Sequence, residues 1–218
     1  MASRSTGARP AQRQERGRSG GGKGTAGAGR VRIIGGGWRS RVLRFPSAQD
    51  LRPTSDRVRE TLFNWLGQDL TGKVCLDLFA GSGALGFEAL SRNATSVTMI
   101  ERDGAARAAL SCNGELLQAG ARLKVAPGDA LQFLRRCAGR NERFDLIFCD
   151  PPFREEWFSQ LWSPLSAVMA KGAVVYAESG SALELPPDWQ TLKSGKAGQA
   201  LYQMLGKLPE QEGEAQDG

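Results

Sequence analysis

From Lys73 onward, apolar runs of strand length alternate with helical stretches, and this alternation constrains the chain more than any other feature. The runs are KVCLDLFA, SVTMIE, LKVAPGD, FDLIFCD and GAVVYAE. Between them the periodicity predicts helices near Ala84 to Ser91, over Asp103 to Gln118, near Leu131 to Cys137 and over Glu156 to Met169. Strands apolar on both faces must be covered on both, so five of them separated by helices imply a parallel sheet between helix layers. The ligand crevice of such an α/β domain lies at the carboxyl ends of its strands. The stretch from Trp189 to Leu205 is expected to add two more strands, and no internal repeat is visible.

Upstream of this body the text changes. Residues 1–30 hold no large apolar residue after Met1, so nothing there offsets the entropy of ordering, and they read as a disordered basic tail. VRIIGGGWRSRVLRFP, within residues 31–54, reads as a hairpin joined by Gly35, Gly36 and Gly37, with Arg32, Arg39, Arg41 and Arg44 exposed. Ser55 or Asp56 then caps a helix whose Val58, Leu62, Trp65 and Leu66 share one face before Gly67 ends it, leaving Arg57 and Arg59 outside. The domain is expected to run over residues 55–208, with 209–218 a frayed acidic tail.

Charge follows the same division. Residues 1–60 carry 14 Lys and Arg against 4 Asp and Glu, whereas the remainder carries 15 against 19: a basic front on a slightly acidic body. The 218 residues contain no histidine, which excludes Ser-His-Asp triads, Cys-His pairs and His-containing metal sites. Cys75, Cys112, Cys137 and Cys149 form no CxxC pair, and three lie in apolar segments, as buried thiols of a reducing compartment would. With no apolar run of membrane length and no apolar stretch at the N-terminus, a cytoplasmic protein that neither enters a membrane nor is secreted is expected.

The first strand leads into Asp77-Leu78-Phe79-Ala80-Gly81-Ser82-Gly83, where glycines let backbone approach a ligand and the following helix offers free N–H groups. Alone, such a loop is also an ordinary tight turn. Glu101, 20 residues after Gly81 at the end of the second strand, can accept both hydroxyls of a ribose, so the pair fits a nucleoside cofactor. Asp77 would repel a pyrophosphate but attract the amino group and sulfonium of S-adenosylmethionine, which favours that cofactor over NAD. Asp129 can accept from the adenine amine and Ala130 can donate its N–H to the ring, although Asp129 suits a helix N-cap equally.

Asp150-Pro151-Pro152-Phe153 follows the fourth strand directly. Two prolines stiffen the chain, so Asp150 and the Pro151 carbonyl present two acceptors at fixed spacing to one planar amine, and Phe153 offers a face for an unstacked base. An exocyclic amine is a poor nucleophile because its lone pair is delocalised. Two acceptors stabilise the positive nitrogen that develops as it takes a methyl group.

In order, these motifs resemble those of class I S-adenosylmethionine-dependent methyltransferases acting on exocyclic amines, which alone leaves adenine-N6, guanine-N2 and glutamine enzymes open. Arg52-Pro-Thr-Ser-Asp-Arg-Val-Arg-Glu-Thr-Leu-Phe-Asn-Trp-Leu66, preceded by Arg32-Ile-Ile-Gly-Gly-Gly-Trp-Arg39, is more particular. It is similar to the RsmD family of bacterial 16S ribosomal RNA guanine-N2 methyltransferases, which modify guanine 966. The resemblance spans about Val31 to Leu205 and implies a Rossmann-like seven-stranded domain, an RNA-contacting N-terminal hairpin, S-adenosylmethionine and no metal. RNA contacts are then expected from Arg32, Trp38, Arg39, Arg41, Arg52, Arg57 and Arg59, the partner being 16S RNA or an assembling small subunit and the protein a monomer. An RNA-binding assembly protein with a vestigial cofactor site and a nicotinamide oxidoreductase are the competing readings. Neither gives Asp150 to Phe153 a task.

Overall fold

The computed structural model describes residues 29–46, 54–152 and 157–209. Seven strands form one sheet in the order β5-β4-β3-β6-β7-β9-β8: β3 (Val74–Asp77), β4 (Ser96–Glu101), β5 (Leu123–Pro127), β6 (Phe144–Cys149), β7 (Met169–Ser179), β8 (Trp189–Ala197) and β9 (Ala200–Lys207). The first five are parallel, and β9 and β8 close the far edge antiparallel. The parallel strands are those expected from the apolar runs, and the seven-stranded Rossmann-like sheet is the one the resemblance implies.

Alternate residues of each central strand serve opposite cores. Cys75, Met99, Phe148 and Tyr176 pack with α1 (Asp56–Trp65), α2 (Ala84–Ser91) and α3 (Gly104–Leu116), while Leu76, Ile100, Ile147 and Val175 pack with α4 (Ala130–Gly139) and α5 (Phe158–Ser166). Helices α2 and α3 follow β3 and β4, and α4 and α5 follow β5 and β6. The winding therefore reverses between β3 and β6, the switch point where a crevice opens at the strand ends.

The fifth helix is shorter than its periodicity predicts. It stops at Ser166 because Met169 already pairs with Phe144 at the start of β7. In α3, Asp103 stands outside the helix as its cap, accepting from the Ala106 N–H at 2.8 Å.

A separate antiparallel pair, β1 (Gly29–Arg32) and β2 (Val42–Phe45), forms the N-terminal hairpin. Gly29 and Arg30, assigned to the tail from sequence, belong to β1, because they pair with Phe45 and Arg44 and a glycine lets the Phe45 ring lie against the backbone. Residues 1–28 and 210–218 lie outside the described residues. Val31, Leu43 and Phe45 point into the core, leaving Arg30, Arg32 and Arg44 on the outer face.

The hairpin loop docks on α2. The Glu88 carboxylate accepts from the Ile34 and Gly35 N–H groups at 2.9 and 2.8 Å, and Ser91 Oγ accepts from the Trp38 N–H at 2.9 Å. At Gly36 (φ 70°) an added Cβ would lie 1.8 Å from the Ser91 carbonyl oxygen, so only glycine permits this approach. Among the described residues no helix is long and apolar enough to cross a membrane.

Candidate active site

Each parallel strand delivers one carboxylate to the carboxyl edge of the sheet. Following the spatial order β5, β4, β3, β6, β7, these are Asp129, Glu101, Asp77, Asp150 and Glu178. The row crosses the switch point between Asp77 and Asp150.

On the β3 side, the turn after Asp77 runs through Gly81 (φ 50°) and Gly83 (φ 77°). A Cβ on Gly83 would come within 2.6 Å of Leu110 and Phe87, so this glycine lets α2 start against α3. Glu101 Oε2 accepts from the Gly81 N–H at 2.9 Å and its Oε1 from the Asp103 N–H at 2.8 Å, which fixes the carboxylate at the strand tip. Each oxygen keeps a lone pair for a further donor such as a hydroxyl. Asp77 is buried, with Oδ2 accepting from the Gly86 N–H at 3.2 Å. Burial, helped by the charge of Glu101, pushes its carboxyl up to about 7. A cationic amine beside it would draw it back to the charged form.

Asp129 caps α4, its Oδ1 accepting from the Gln132 N–H at 3.1 Å, and Ala130 is buried behind it. Ser82 is also buried, its Oγ accepting from the Ala84 N–H at 3.3 Å. Phe79 meets Trp157 edge-on, with centroids 5.1 Å apart. Trp157 Nε1 is buried with no hydrogen-bond partner among the described residues, a donor left open next to the loop. The donor and acceptor set fits a nucleoside carrying a cationic amino-acid tail: paired acceptors for hydroxyls, an aspartate to meet an ammonium, a capped helix start for a base edge. Among the described residues no group of His, Cys, Asp and Glu could hold a metal ion.

Across the switch point, Asp150 leaves β6 with Pro151 buried and Pro152 exposed; Phe153 lies outside the described residues. Burial, then the charges of Glu178 and Asp77, hold the Asp150 carboxyl well above the usual carboxylate range. Glu178 stands near the end of β7, next to the pairing of Cys149 with Ala177, burial lifts its carboxyl above the usual range, and Tyr176 Oη donates to its Oε1 at 2.7 Å. Sequence reasoning missed Tyr176 and Glu178. The available signal was that Glu178 also ends an apolar strand, as Asp77 and Asp150 do.

The arginines divide. Arg59, expected outside, has a side chain with no exposure, and this corrects its assignment to an RNA surface. Its Nη1 meets Glu88 Oε2 at 3.1 Å, Nη2 meets Asp56 at 2.6 Å and donates to the Arg32 carbonyl at 2.8 Å, and Nε donates to the Thr54 carbonyl at 3.2 Å. Helix α1 turns Arg59 inward because Val58, Leu62 and Phe63 bury the flanking face and Glu88 supplies a charge within it.

Arg32, Arg39 and Arg57 are exposed. Arg41 is exposed too and donates to the Leu116 carbonyl at the end of α3 (3.0 Å), while Trp38 is half-buried under the Arg122 guanidinium. Arg52 lies outside the described residues. Arg30, Arg32 and Arg44 line a groove of about 550 Å³ whose opposite wall is Thr54, Ser55 and Asp56. The groove thus reaches Thr54, whose carbonyl Arg59 holds.

Comparison with known proteins follows the same outline. Residues 31–206 match the model of the family described as Conserved hypothetical protein 95. The chain is 40% identical over 195 residues to ribosomal RNA small subunit methyltransferase D of Escherichia coli strain K12, covering 87% of this chain and 96% of that protein. It is 40% identical over 181 residues to the Haemophilus influenzae protein of the same name, covering 81% and 93%. A solved structure titled putative methyltransferase yhhF from Escherichia coli superposes with a TM-score of 0.71 at 40% identity, covering 82% of this chain and 98% of that one.

Proposed function

Since the chain belongs to the Conserved hypothetical protein 95 family, alongside the small subunit methyltransferase D proteins, we propose that it methylates 16S ribosomal RNA. The methyl group comes from S-adenosylmethionine and goes to the exocyclic N2 amine of a guanine, guanine 966 in the family resembled. The observation that carries this reading is the placement of Asp150 and Pro151 directly across the switch point from Asp77, Gly81 and Glu101. An amine held on one side faces a cofactor held on the other.

Glu101 would accept the ribose hydroxyls, Asp77 the ammonium of the methionine tail, and Asp129 with the Ala130 N–H the adenine edge. Bound there, S-adenosylmethionine supplies an electrophilic methyl group. Asp150 and the Pro151 carbonyl accept the two amine hydrogens, orient the lone pair and stabilise the positive charge that develops on nitrogen. The methylated amine then gives its extra proton to the Asp150 carboxylate. Phe153 would stack the base. Arg30, Arg32 and Arg44 in the groove, together with the exposed Arg39, Arg41 and Arg57, would supply the phosphate contacts expected of the basic front.

The test is base mapping. Small-subunit RNA and small subunits lacking the modification are incubated with the protein and methyl-labelled S-adenosylmethionine, and the labelled nucleoside is identified by mass spectrometry. N2-methylguanine at a single position supports the reading. A labelled adenine would reassign the amine, and label in neither substrate would sink the proposal.

A further inference from the structure

We infer that Glu178 selects guanine: its carboxylate accepts the ring N1–H next to the exocyclic amine that Asp150 and the Pro151 carbonyl hold. The inference deepens the methyl-transfer reading and rests on it for the reaction and the amine.

Strand register brings the two carboxyls together. Phe148 pairs with Tyr176 and Cys149 with Ala177, so the next step along these parallel strands sets Asp150 beside Glu178. Neighbouring strands lie about 4.8 Å apart, within reach of a single base edge. Side chains alternate across a sheet, so Asp150 follows Phe148, and Glu178 follows Tyr176, onto one face. On that face Phe148 and Tyr176 share a core and meet edge-on, with centroids 6.4 Å apart. Asp77, two residues beyond Cys75 of the same core, faces the same way from β3. The charges of both Glu178 and Asp77 act on Asp150, as this placement requires.

Glu178 is held at one end and open at the other. Tyr176 Oη donates to its Oε1 at 2.7 Å. Tyr176 has no exposed surface while Glu178 keeps 7%, so the pair opens toward the end of the strand, where Gly180 is exposed. A carboxylate has about four acceptor positions, and the tyrosine fills one. The donated hydrogen also favours charge on Glu178.

The chemistry of the bases gives such an acceptor its use. The amino group of guanine is flanked by N1–H, a donor, whereas that of adenine is flanked by N1 with a bare lone pair. With Asp150 and Pro151 on the amine, the N1–H of guanine needs a third acceptor, because a buried donor without a partner weakens binding. Glu178 supplies it. Adenine in the same pose would turn its lone pair on a carboxylate. Hydrogens delivered to both carboxyls from one base edge also relieve the mutual repulsion that helps to raise Asp150.

The experiment compares wild type, Glu178→Gln and Tyr176→Phe on small-subunit RNA whose methylated guanine, located by base mapping, is kept or replaced by 2-aminopurine. Both bases carry a 2-amino group, but 2-aminopurine has a lone pair at N1. Wild type is expected to prefer guanine in kcat/KM by about 10- to 100-fold. In Glu178→Gln the amide N–H meets the 2-aminopurine lone pair, so guanine loses, 2-aminopurine gains and the preference vanishes or reverses. Tyr176→Phe loosens the carboxylate without changing its charge and should lower the preference about 3- to 10-fold. S-adenosylmethionine affinity by calorimetry should match wild type in both variants.

A purely structural role for Glu178 would slow both bases equally, and that unchanged preference would overturn the assignment. So would a wild type that methylates both bases alike. Should Glu178→Gln fail to fold, the preference of Tyr176→Phe decides in the same way. Label on adenine, or on no base, would fail the methyl-transfer reading first and take the role of Glu178 with it. Guanine methylation with an unmoved preference would remove Glu178 alone.

Discussion

Arg59 Nη1 stands 3.1 Å from Glu88 Oε2, and neither side chain has any exposed surface. The pair joins α1 to α2, and Glu88 also holds the hairpin loop and Arg92, whose Nη2 lies 2.8 Å from Oε1. Arg59→Ala would leave a buried carboxylate with Arg92 and two backbone donors but without its partner on α1. A loss of about 3 to 5 kcal/mol in unfolding free energy is expected, to be measured by urea denaturation. Unchanged stability combined with weaker RNA binding would return Arg59 to the RNA surface.

Glu101→Ala and Asp150→Ala should fail in opposite ways. The first removes the proposed acceptor of the cofactor's hydroxyls, so S-adenosylmethionine affinity should drop about 10- to 100-fold by calorimetry while RNA affinity holds. The second should leave cofactor affinity near wild type and cut turnover about 100-fold or more, because Asp150 is proposed to meet only the amine. If the losses were exchanged, the two sides of the crevice would be wrongly assigned.

How much of this was legible in sequence depends on the range over which the physics acts. The strands β3 to β7 and their terminal carboxylates could be read because apolar covering on both faces is written into each segment, and Asp77, Glu101, Asp129 and Asp150 stand at the strand ends. Arg59 could not be read, because its partner lies 29 residues away in a helix whose eight residues are all buried, and a charged residue in an arginine-rich run otherwise belongs in water. Glu178 became a neighbour of Asp150 only through the pairing of β7 with β6. The groove of Arg30, Arg32 and Arg44 needed the hairpin register, which begins two residues before the tail was expected to end.

In that register Arg30 lies directly opposite Arg44. Like charges so placed weaken a strand pair by roughly 0.2 to 1 kcal/mol, so replacing both with Ala should leave the hairpin no less stable. The same double variant should weaken RNA binding and flatten its log-log salt dependence by about 0.7 for each phosphate no longer neutralised, if the bound strand is single. Binding isotherms over a salt series give the slope. An unchanged slope would make these arginines a solvated face.

Asp77 predicts a pH dependence in the ligand-free protein. Its carboxyl rises from 3.8 to about 7 on folding, so between these values the folded chain keeps a proton that the unfolded chain has released. Stability from this group is therefore highest at low pH and falls as pH rises from about 4 to about 7, by on the order of 4 kcal/mol in all. Asp150 and Glu178 shift in the same direction and add to the slope. Urea melts across this range should show the decline, and Asp77→Asn should lessen it. A slope identical in the variant would mean that Asp77 is already charged in the fold.

The contact between Gly36 and the Ser91 carbonyl makes the hairpin a fixed arm. With its loop seated on the helix that begins at the glycine turn, the arginine groove stands at one set distance from Asp150. If the groove grips RNA as proposed, the protein works as a ruler: a strand held by its phosphates is accepted only if its own fold delivers a base at that span. Under the proposed function, selection among the many bases of a long RNA would fall to the architecture of the RNA, measured against a rigid gauge, rather than to an enzyme that closes around whatever it meets.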